Sequence, residues 1–360
     1  ARTIVERVRA KGDVALIEFA KKFDGAKLTA KTLRVDDAEI VTAGKSVDSG
    51  IKSAIRFAHR NISAFHKHGL RRGWSGRNTQ GARVGEKFDA FGRVGIYIPG
   101  GTAPLMSTAL MTVTLAKGAG CREIVICTPC DKDGVVNSGL IHAAKVAGAT
   151  EIYRVGGAHA IAALALGTKT IAPVQKIFGP GNAYVVAAKR LLFGHVSIDL
   201  LPGPSEVLVL ADQSANPGYA AADILAQAEH GSGHERCWLV STSAKVIASV
   251  EKEIIKQLSK RSRQKYIRKA LKKNGWMIQV KSLAEAVDLT NRLAPEHCEL
   301  MIKNPGLIAK EIVSAGALFL GNNSPTVAGD YVAGPSHTLP TGGAGASFSG
   351  LTVDMFQRRT

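Results

Sequence analysis

Three short clusters gather side chains that can bind a metal or move a proton: Gln227-Ala-Glu-His230, Pro295-Glu296-His297, and Gly329-Asp330 followed by His337. Histidine is a common metal ligand, aspartate supplies a hard oxygen, and glutamine is a rarer donor through its amide oxygen. Gln227 and His230 are three residues apart, so on a helix they share a face. Glu296 and His297 are adjacent, and Pro295 before them favours a loop or a helix start over a helix interior. Each cluster also fits a plainer role. Gln227 and His230 would suit a hydrogen-bonded helix surface, Asp330 a turn, His337 a packed histidine and Glu296-His297 a helix start. Spacing alone reaches no further than a candidate metal enzyme.

The elements that must hold these groups alternate. Residues 1 to about 90 read as helices, Thr3–Phe23 and Asp36–His68, because apolar residues recur every three or four positions. From Val94 the pattern turns to short β-branched strands: Val94–Ile98, Ile124–Cys127, Ile152–Val155, Val174–Phe178, Val196–Asp199 and Glu206–Leu210. Ala-rich helices near Leu105–Lys117, Ser138–Val146, Ala158–Ala165 and Asn182–Leu192 lie between them. A second round follows Ala220, with strands Cys237–Ser241, Met277–Val280 and Ala317–Leu320 separated by helices. Such alternation predicts an α/β fold of two Rossmann-like, mainly parallel sheets with a helical N-terminal segment. The expected division is a discontinuous domain, 1–96 with 205–350, carrying the metal and proton groups, and an inserted domain, 97–204.

Composition agrees with an α/β enzyme: 360 residues, 45% hydrophobic, 21% charged, 38 glycines. No apolar run nears the roughly 20 residues of a membrane span. The five cysteines sit mostly at strand-like positions, which points to reduced thiols in a cytoplasmic setting. Cys127-Thr-Pro-Cys130 has redox or zinc spacing, but no second pair accompanies it, and a strand end running into a turn is the plainer reading. The net charge is +18, with much of the excess between Lys252 and Lys281. With little interleaved aromatic surface for stacking bases, a solvated helix face is favoured there over nucleic-acid binding.

Glycine turns add a cofactor theme. Tyr97-Ile-Pro-Gly-Gly101 lies between a strand and a helix, an arrangement that presents backbone N–H groups to an anion. Gly179-Pro-Gly-Asn182 and Gly203-Pro204-Ser205 sit at further strand ends, so the three are expected to share a ligand crevice on one sheet. None is the G-x-G-x-x-G dinucleotide fingerprint.

Taken together, the segments GIYIPGGTAPLMSTALM, VGGAHAIAALALGT, KIFGPGNAYVVAAKR, GPSEVLVLAD, AQAEHG, LAPEHCEL, AGALFLGN and AGDYVAGPSHTLPTGG resemble the histidinol dehydrogenase family from about Gly12 to Arg359. The resemblance implies zinc-dependent oxidation of L-histidinol to L-histidine through L-histidinaldehyde, with two NAD⁺. It also implies an intertwined homodimer with a shared active site. By position, Gln227, His230 and Asp330 match zinc ligands, and Glu296 and His297 match the catalytic acid/base pair. Ser205 and His337 match substrate contacts, with Gln227, His230, His297 and Asp330 also facing substrate. Tyr97 and Asn182 match cofactor contacts. His159 stands where the family usually has glutamine at a further cofactor contact, and Cys298 where leucine is usual, beside the catalytic pair. The family's fourth zinc ligand and a substrate-contacting glutamate belong to a C-terminal helical domain beyond Thr360, so 351–360 reads as the start of a truncated segment. Two other readings stand against this one: a paralogue that oxidises another polar alcohol, such as a sulfonated diol, and a catalytically inactive basic binding protein.

Overall fold

The computed structural model describes residues 1–100 and 105–360, so Gly101 of the first glycine turn lies outside the described residues. The chain forms two compact units: 1–201 with 331–338 and 351–360, and 202–330 with 339–350.

The first unit opens with α1 (Arg2–Lys11) and α2 (Asp13–Phe19), separated at Gly12, whose φ of 51° suits a residue without a Cβ. The single helix expected over Thr3–Phe23 is therefore broken. Next come α3 (Asp37–Ser46) and α4 (Ser49–His66). Asp48 starts the second by accepting the N–H groups of Gly50 and Ile51. On α4 the buried Ile55, Ala58, Ile62 and His66 recur at helical spacing and form one stripe. The polar stretch that follows makes an antiparallel hairpin of β1 (Trp74–Arg77) and β2 (Arg83–Glu86), then β3 (Phe88–Ala90), against which Gln357–Arg359 pairs antiparallel. Neither pairing was expected.

The rest of this unit is a sheet wound by right of its apolar strands: β4 (Arg93–Tyr97), α5 (Met106–Ala119), β5 (Glu123–Thr128), α6 (Ser138–Ala147), β6 (Glu151–Arg154), α7 (Gly157–Leu166), β7 (Lys176–Phe178), α8 (Ala183–Leu192) and β8 (Ser197–Ile198). All five strands are parallel, in the order β6-β5-β4-β7-β8. The four strands other than edge strand β8 are largely buried on both faces, as helices on either side require. Gly95 in β4 lets α7 lie close: a Cβ there would sit 2.9 Å from Leu164 and 3.1 Å from Val174.

The second unit repeats the plan with β9 (Glu206–Ala211), α9 (Pro217–Ala228), β10 (Arg236–Ser241), α10 (Ala244–Leu258), α11 (Gln264–Asn274), β11 (Gly275–Gln279), α12 (Leu283–Leu293), β12 (His297–Met301), α13 (Pro305–Ile308), β13 (Ala317–Leu320) and α14 (Thr326–Tyr331). Its sheet is parallel, in the order β11-β10-β9-β12-β13. Each sheet thus runs third, second, first, fourth, fifth strand, the half of a doubly wound fold. On α10 the buried Val246, Val250, Ile254 and Leu258 form the inner stripe. The lysines of α10 and α11 lie largely on the exposed positions, the solvated face the charge pattern suggested.

The units divide the chain differently from the expected 1–96 with 205–350 against 97–204. A cut at 96 would pass through β4, the central strand of the first sheet, and residues 1–96 pack with that sheet. Residues 351–360 belong to the same unit: Phe356 stacks on Phe178 with ring centroids 3.8 Å apart.

Candidate active site

In the first unit the carboxyl ends of the strands open into a cavity of about 1140 Å³, lined among others by Asp24, Tyr97, Pro129, Asn137, His159 and Asn182. Tyr97 ends β4, and its hydroxyl oxygen accepts the N–H of Gly157, the first residue of α7, at 3.0 Å. Asn182 caps α8 by accepting the N–H groups of Tyr184 and Val185. His159 lies within α7, 1% exposed, with neither ring nitrogen hydrogen-bonded and the ring against Phe19 and Phe23. Burial pushes its pKa down to about 4, so it is neutral at pH 7.

Sequence reasoning missed what holds this rim. Lys189 and Asp199 are both fully buried and paired at 2.5 Å. Lys189 Nζ also donates to the Gly179 carbonyl at 2.5 Å, and Asp199 Oδ2 accepts the Gly179 N–H at 2.7 Å. Gly179 has φ 108°, and a Cβ there would meet the Tyr97 carbonyl oxygen at 2.0 Å, so only glycine can bring the turn this close to β4. The Lys189–Asp199 pair spans a loop, and no local spacing announces it.

The second unit holds the proton and metal groups. Glu296 precedes β12 and His297 begins it, so the pair occupies a loop-to-strand junction, not a helix start. The chain enters from α12 through Ala294, whose φ of 45° is the only positive value at a non-glycine among the described residues. That conformation costs on the order of 1 kcal/mol. Both side chains are anchored to the backbone of Glu206, the first residue of β9. Glu296 Oε2 accepts its N–H at 2.8 Å, and His297 Nδ1 lies 2.9 Å from its carbonyl oxygen. A carbonyl can only accept, so Nδ1 carries a proton and Nε2 is the titrating nitrogen. Nε2 faces Asp330 Oδ1 at 3.5 Å.

Burial raises the Glu296 carboxyl to about 7, with His297 pulling the other way. For His297 burial acts downward, but the carboxylates of Glu296 and Asp330 outweigh it and raise the imidazole to about 9. Cys298 is fully buried and its thiol is pushed up to about 12, which speaks against a thiolate beside the pair.

Gln227 lies on the last turn of α9, 2% exposed, and its amide nitrogen has no hydrogen-bond partner among the described residues. His230 falls in the turn just past the helix end, where its N–H reaches the Gln227 carbonyl at 3.4 Å. The shared helix face expected for the two is therefore continued by a turn. Asp330 and His297 are both close enough to act on the His230 charge, although burial dominates and lowers its pKa. Ser205 precedes Glu206, and its carbonyl accepts the Arg236 N–H. Glu206 itself was not foreseen, because its contribution is backbone.

Six expected residues thus gather in the second unit: Ser205, Gln227, His230, Glu296, His297 and Asp330. Tyr97, His159, Asn182 and His337 belong to the first. There His337 Nε2 is 3.1 Å from Ser107 Oγ at the start of α5. One expectation fails outright. The turns at Tyr97 and Gly179 follow strands of the first sheet, whereas Gly203-Pro204-Ser205 precedes β9 of the second, so the three do not share one sheet.

Among the described residues no cluster of three or more His, Cys, Asp or Glu has metal-holding geometry. A set built on Gln227 falls outside that description. The amide oxygen of Gln227, the His230 ring and the Asp330 carboxylate are the oxygen and nitrogen donors a zinc ion takes, and His230 and Asp330 are close enough to interact electrostatically. Likewise the cavity, with turn backbone and a neutral tyrosine at its rim, fits a dinucleotide.

Two parallel sheets in the doubly wound order, one with a buried carboxylate–histidine couple at a strand start, define an α/β protein equipped with acid–base groups. The histidinol dehydrogenase family model matches residues 1–360. The histidinol dehydrogenase of Bacteroides fragilis (strain YCH46) is 48% identical over 359 residues, covering 99% of this chain and 83% of the relative. That of Synechococcus sp. is 46% identical over 355 residues, covering 99% and 82%. The crystal structure of histidinol dehydrogenase from Elizabethkingia anophelis superposes with a TM-score of 0.96 at 40% identity, covering 99% of this chain and 82% of that one. The chain belongs to the histidinol dehydrogenase family.

Proposed function

We propose that the protein oxidises L-histidinol to L-histidine in two NAD⁺-linked steps through L-histidinaldehyde, with zinc bound by Gln227, His230 and Asp330. The observation that carries this is the Glu296–His297 couple, fixed on the Glu206 backbone with Nε2 turned toward Asp330. Bound zinc would supply a template for the amine and imidazole nitrogens of the amino alcohol. His297 Nε2 would take the hydroxyl proton as hydride leaves carbon for the nicotinamide. With Asp330 engaged as a ligand, its carboxylate would raise the His297 imidazole less, leaving Nε2 closer to its neutral, base form. The aldehyde must be hydrated before the second oxidation. Glu296, whose carboxyl burial raises to about 7, would activate that water, after which His297 would act again on the gem-diol.

Ser205 and His337 would contact substrate, as would the zinc-binding side chains, while Tyr97, His159 and Asn182 would contact NAD. No described helix is long and apolar enough to cross a membrane. The same reading makes the protein a cytoplasmic homodimer whose active site draws on both subunits.

The test is NADH release from L-histidinol with and without added zinc. Zinc-dependent release of two NADH per histidinol is expected. Bound zinc with no NADH would point to a different alcohol.

A further inference from the structure

Two buried carboxyl groups in the second unit take no part in that chemistry. Asp223 is 4% exposed and lies one turn before Gln227 on α9. Glu299 is 1% exposed and lies two residues after His297 on β12, hence on the same face of the sheet. Both reach Thr326, the first residue of α14. The Thr326 N–H donates to Glu299 Oε1 at 3.2 Å, and its hydroxyl donates to Asp223 Oδ1 at 3.4 Å. Asp330 follows Thr326 by four residues, one helical turn. Within the same short helix Gly329 packs closely on β13: a Cβ there would meet the Phe319 ring at 2.7 Å.

Among the described residues Glu299 Oε2 meets no donor. Its neighbour within hydrogen-bonding reach is the Asp223 carboxyl. Two carboxylates cannot both stay charged side by side away from water, so one keeps a proton and donates it to the other. Glu299 is the group that keeps it: burial first, then Asp223, hold it well above the ordinary carboxylate range. One proton and one threonine then tie α9, β12 and α14 together, and those three elements carry Gln227, His297 and Asp330.

We propose that Asp223 and Glu299 form a proton-sharing clasp that sets Asp330 relative to Gln227, making both positioning residues for the metal site. The proposal rests on the zinc reading above. Neither residue touches substrate or cofactor; the clasp acts by fixing where the ligand-bearing helices stand, as partners beyond the ligands of a metal site do.

The test uses cobalt(II) as a spectroscopic stand-in for zinc on the whole chain, reading its dissociation constant and visible ligand-field bands. In Glu299→Gln the amide oxygen can still accept from Thr326 and the amide N–H can still donate to Asp223. This variant should bind cobalt within about threefold of the unaltered protein, with the same bands. Glu299→Ala should weaken cobalt binding by about 10- to 100-fold and shift the bands. Should that variant not fold, Thr326→Val keeps both carboxyls and removes one tie, with a weakening of about three- to tenfold expected. Glu299→Ala, or Thr326→Val in its place, binding cobalt normally would overturn the proposal alone. So would Glu299→Gln as damaged as Glu299→Ala. An unaltered protein that takes up no cobalt would remove the zinc reading, and the clasp with it.

Discussion

In the first unit the residues around the cavity follow the strands. Tyr97 ends β4, Pro129 comes just after β5, Gly157 after β6 and Asn182 after β7. In the second unit the reactive residues precede or begin the strands. Ser205 and Glu296 stand just before β9 and β12, and Glu206 and His297 are the first residues of those strands. α9 runs back along the sheet and ends just after Gln227, with His230 in the turn beyond it. The strand order is the same in both sheets, yet one uses the carboxyl edge and the other the amino edge. The usual rule, that open α/β sheets bind ligands at the carboxyl ends of their strands, describes the first unit only. The comparison teaches that topology places an open cleft, whereas buried proton chemistry needs side chains tied to a rigid strand start. Here the N–H and C=O of one residue, Glu206, fix both members of the couple.

The comparison can be broken most directly at His297. His297→Asn keeps a group that can donate to the Glu206 carbonyl but removes the base. Both half-reactions should fall by about 10³-fold, with NAD affinity within a few-fold. Steady-state and NAD-binding measurements check this, and a loss confined to NAD binding would erase the division between the units.

Next in size is the Lys189–Asp199 pair of the first unit. Lys189→Met leaves Asp199 charged and buried, and should destabilise the protein by about 3–5 kcal/mol in chemical denaturation. The Gly179 turn would loosen with it, so NAD affinity should fall while aldehyde hydration chemistry at Glu296 does not change.

Acid should weaken the first unit in a defined window. Burial holds His66 and His159 at about 4 when folded, below the ordinary value of about 6.5. Between those values the unfolded chain takes up protons that the folded unit refuses. The stability they contribute is therefore complete above pH 6.5 and is lost as pH falls toward 4, by up to about 3 kcal/mol each. Denaturation curves across that range check the slope, and His159→Gln should flatten it by one proton.

The smallest expected effect is Tyr97→Phe. It removes one hydrogen bond to the Gly157 N–H, and should cost about 1 kcal/mol in NAD binding with kcat nearly unchanged.

Much of the fold was legible because parallel strands covered on both faces read as continuous apolar runs, as in Ile124-Val-Ile-Cys127 and Val207-Leu-Val-Leu210. β12 was not legible: His297-Cys-Glu-Leu-Met301 carries three ionisable groups in a fully buried strand, so its composition contradicts its position. The hairpin at 74–86 was hidden by polar residues and glycine without alternation. In the site, Gln227, His230 and the Glu296-His297 couple were visible as spacing. Glu206, Asp223 and Glu299 were not, since they act through backbone atoms or through partners tens of residues away. His337 was visible as a residue, but the unit it packs in was not.

The central claim is that the couple at the amino edge divides its work. The most direct measurement is single-turnover NADH formation by Glu296→Gln, from L-histidinol and separately from L-histidinaldehyde. The account predicts alcohol oxidation within a few-fold of the unaltered protein and aldehyde oxidation slowed by about 10²-fold or more. Equal loss of both half-reactions would contradict separate roles for Glu296 and His297.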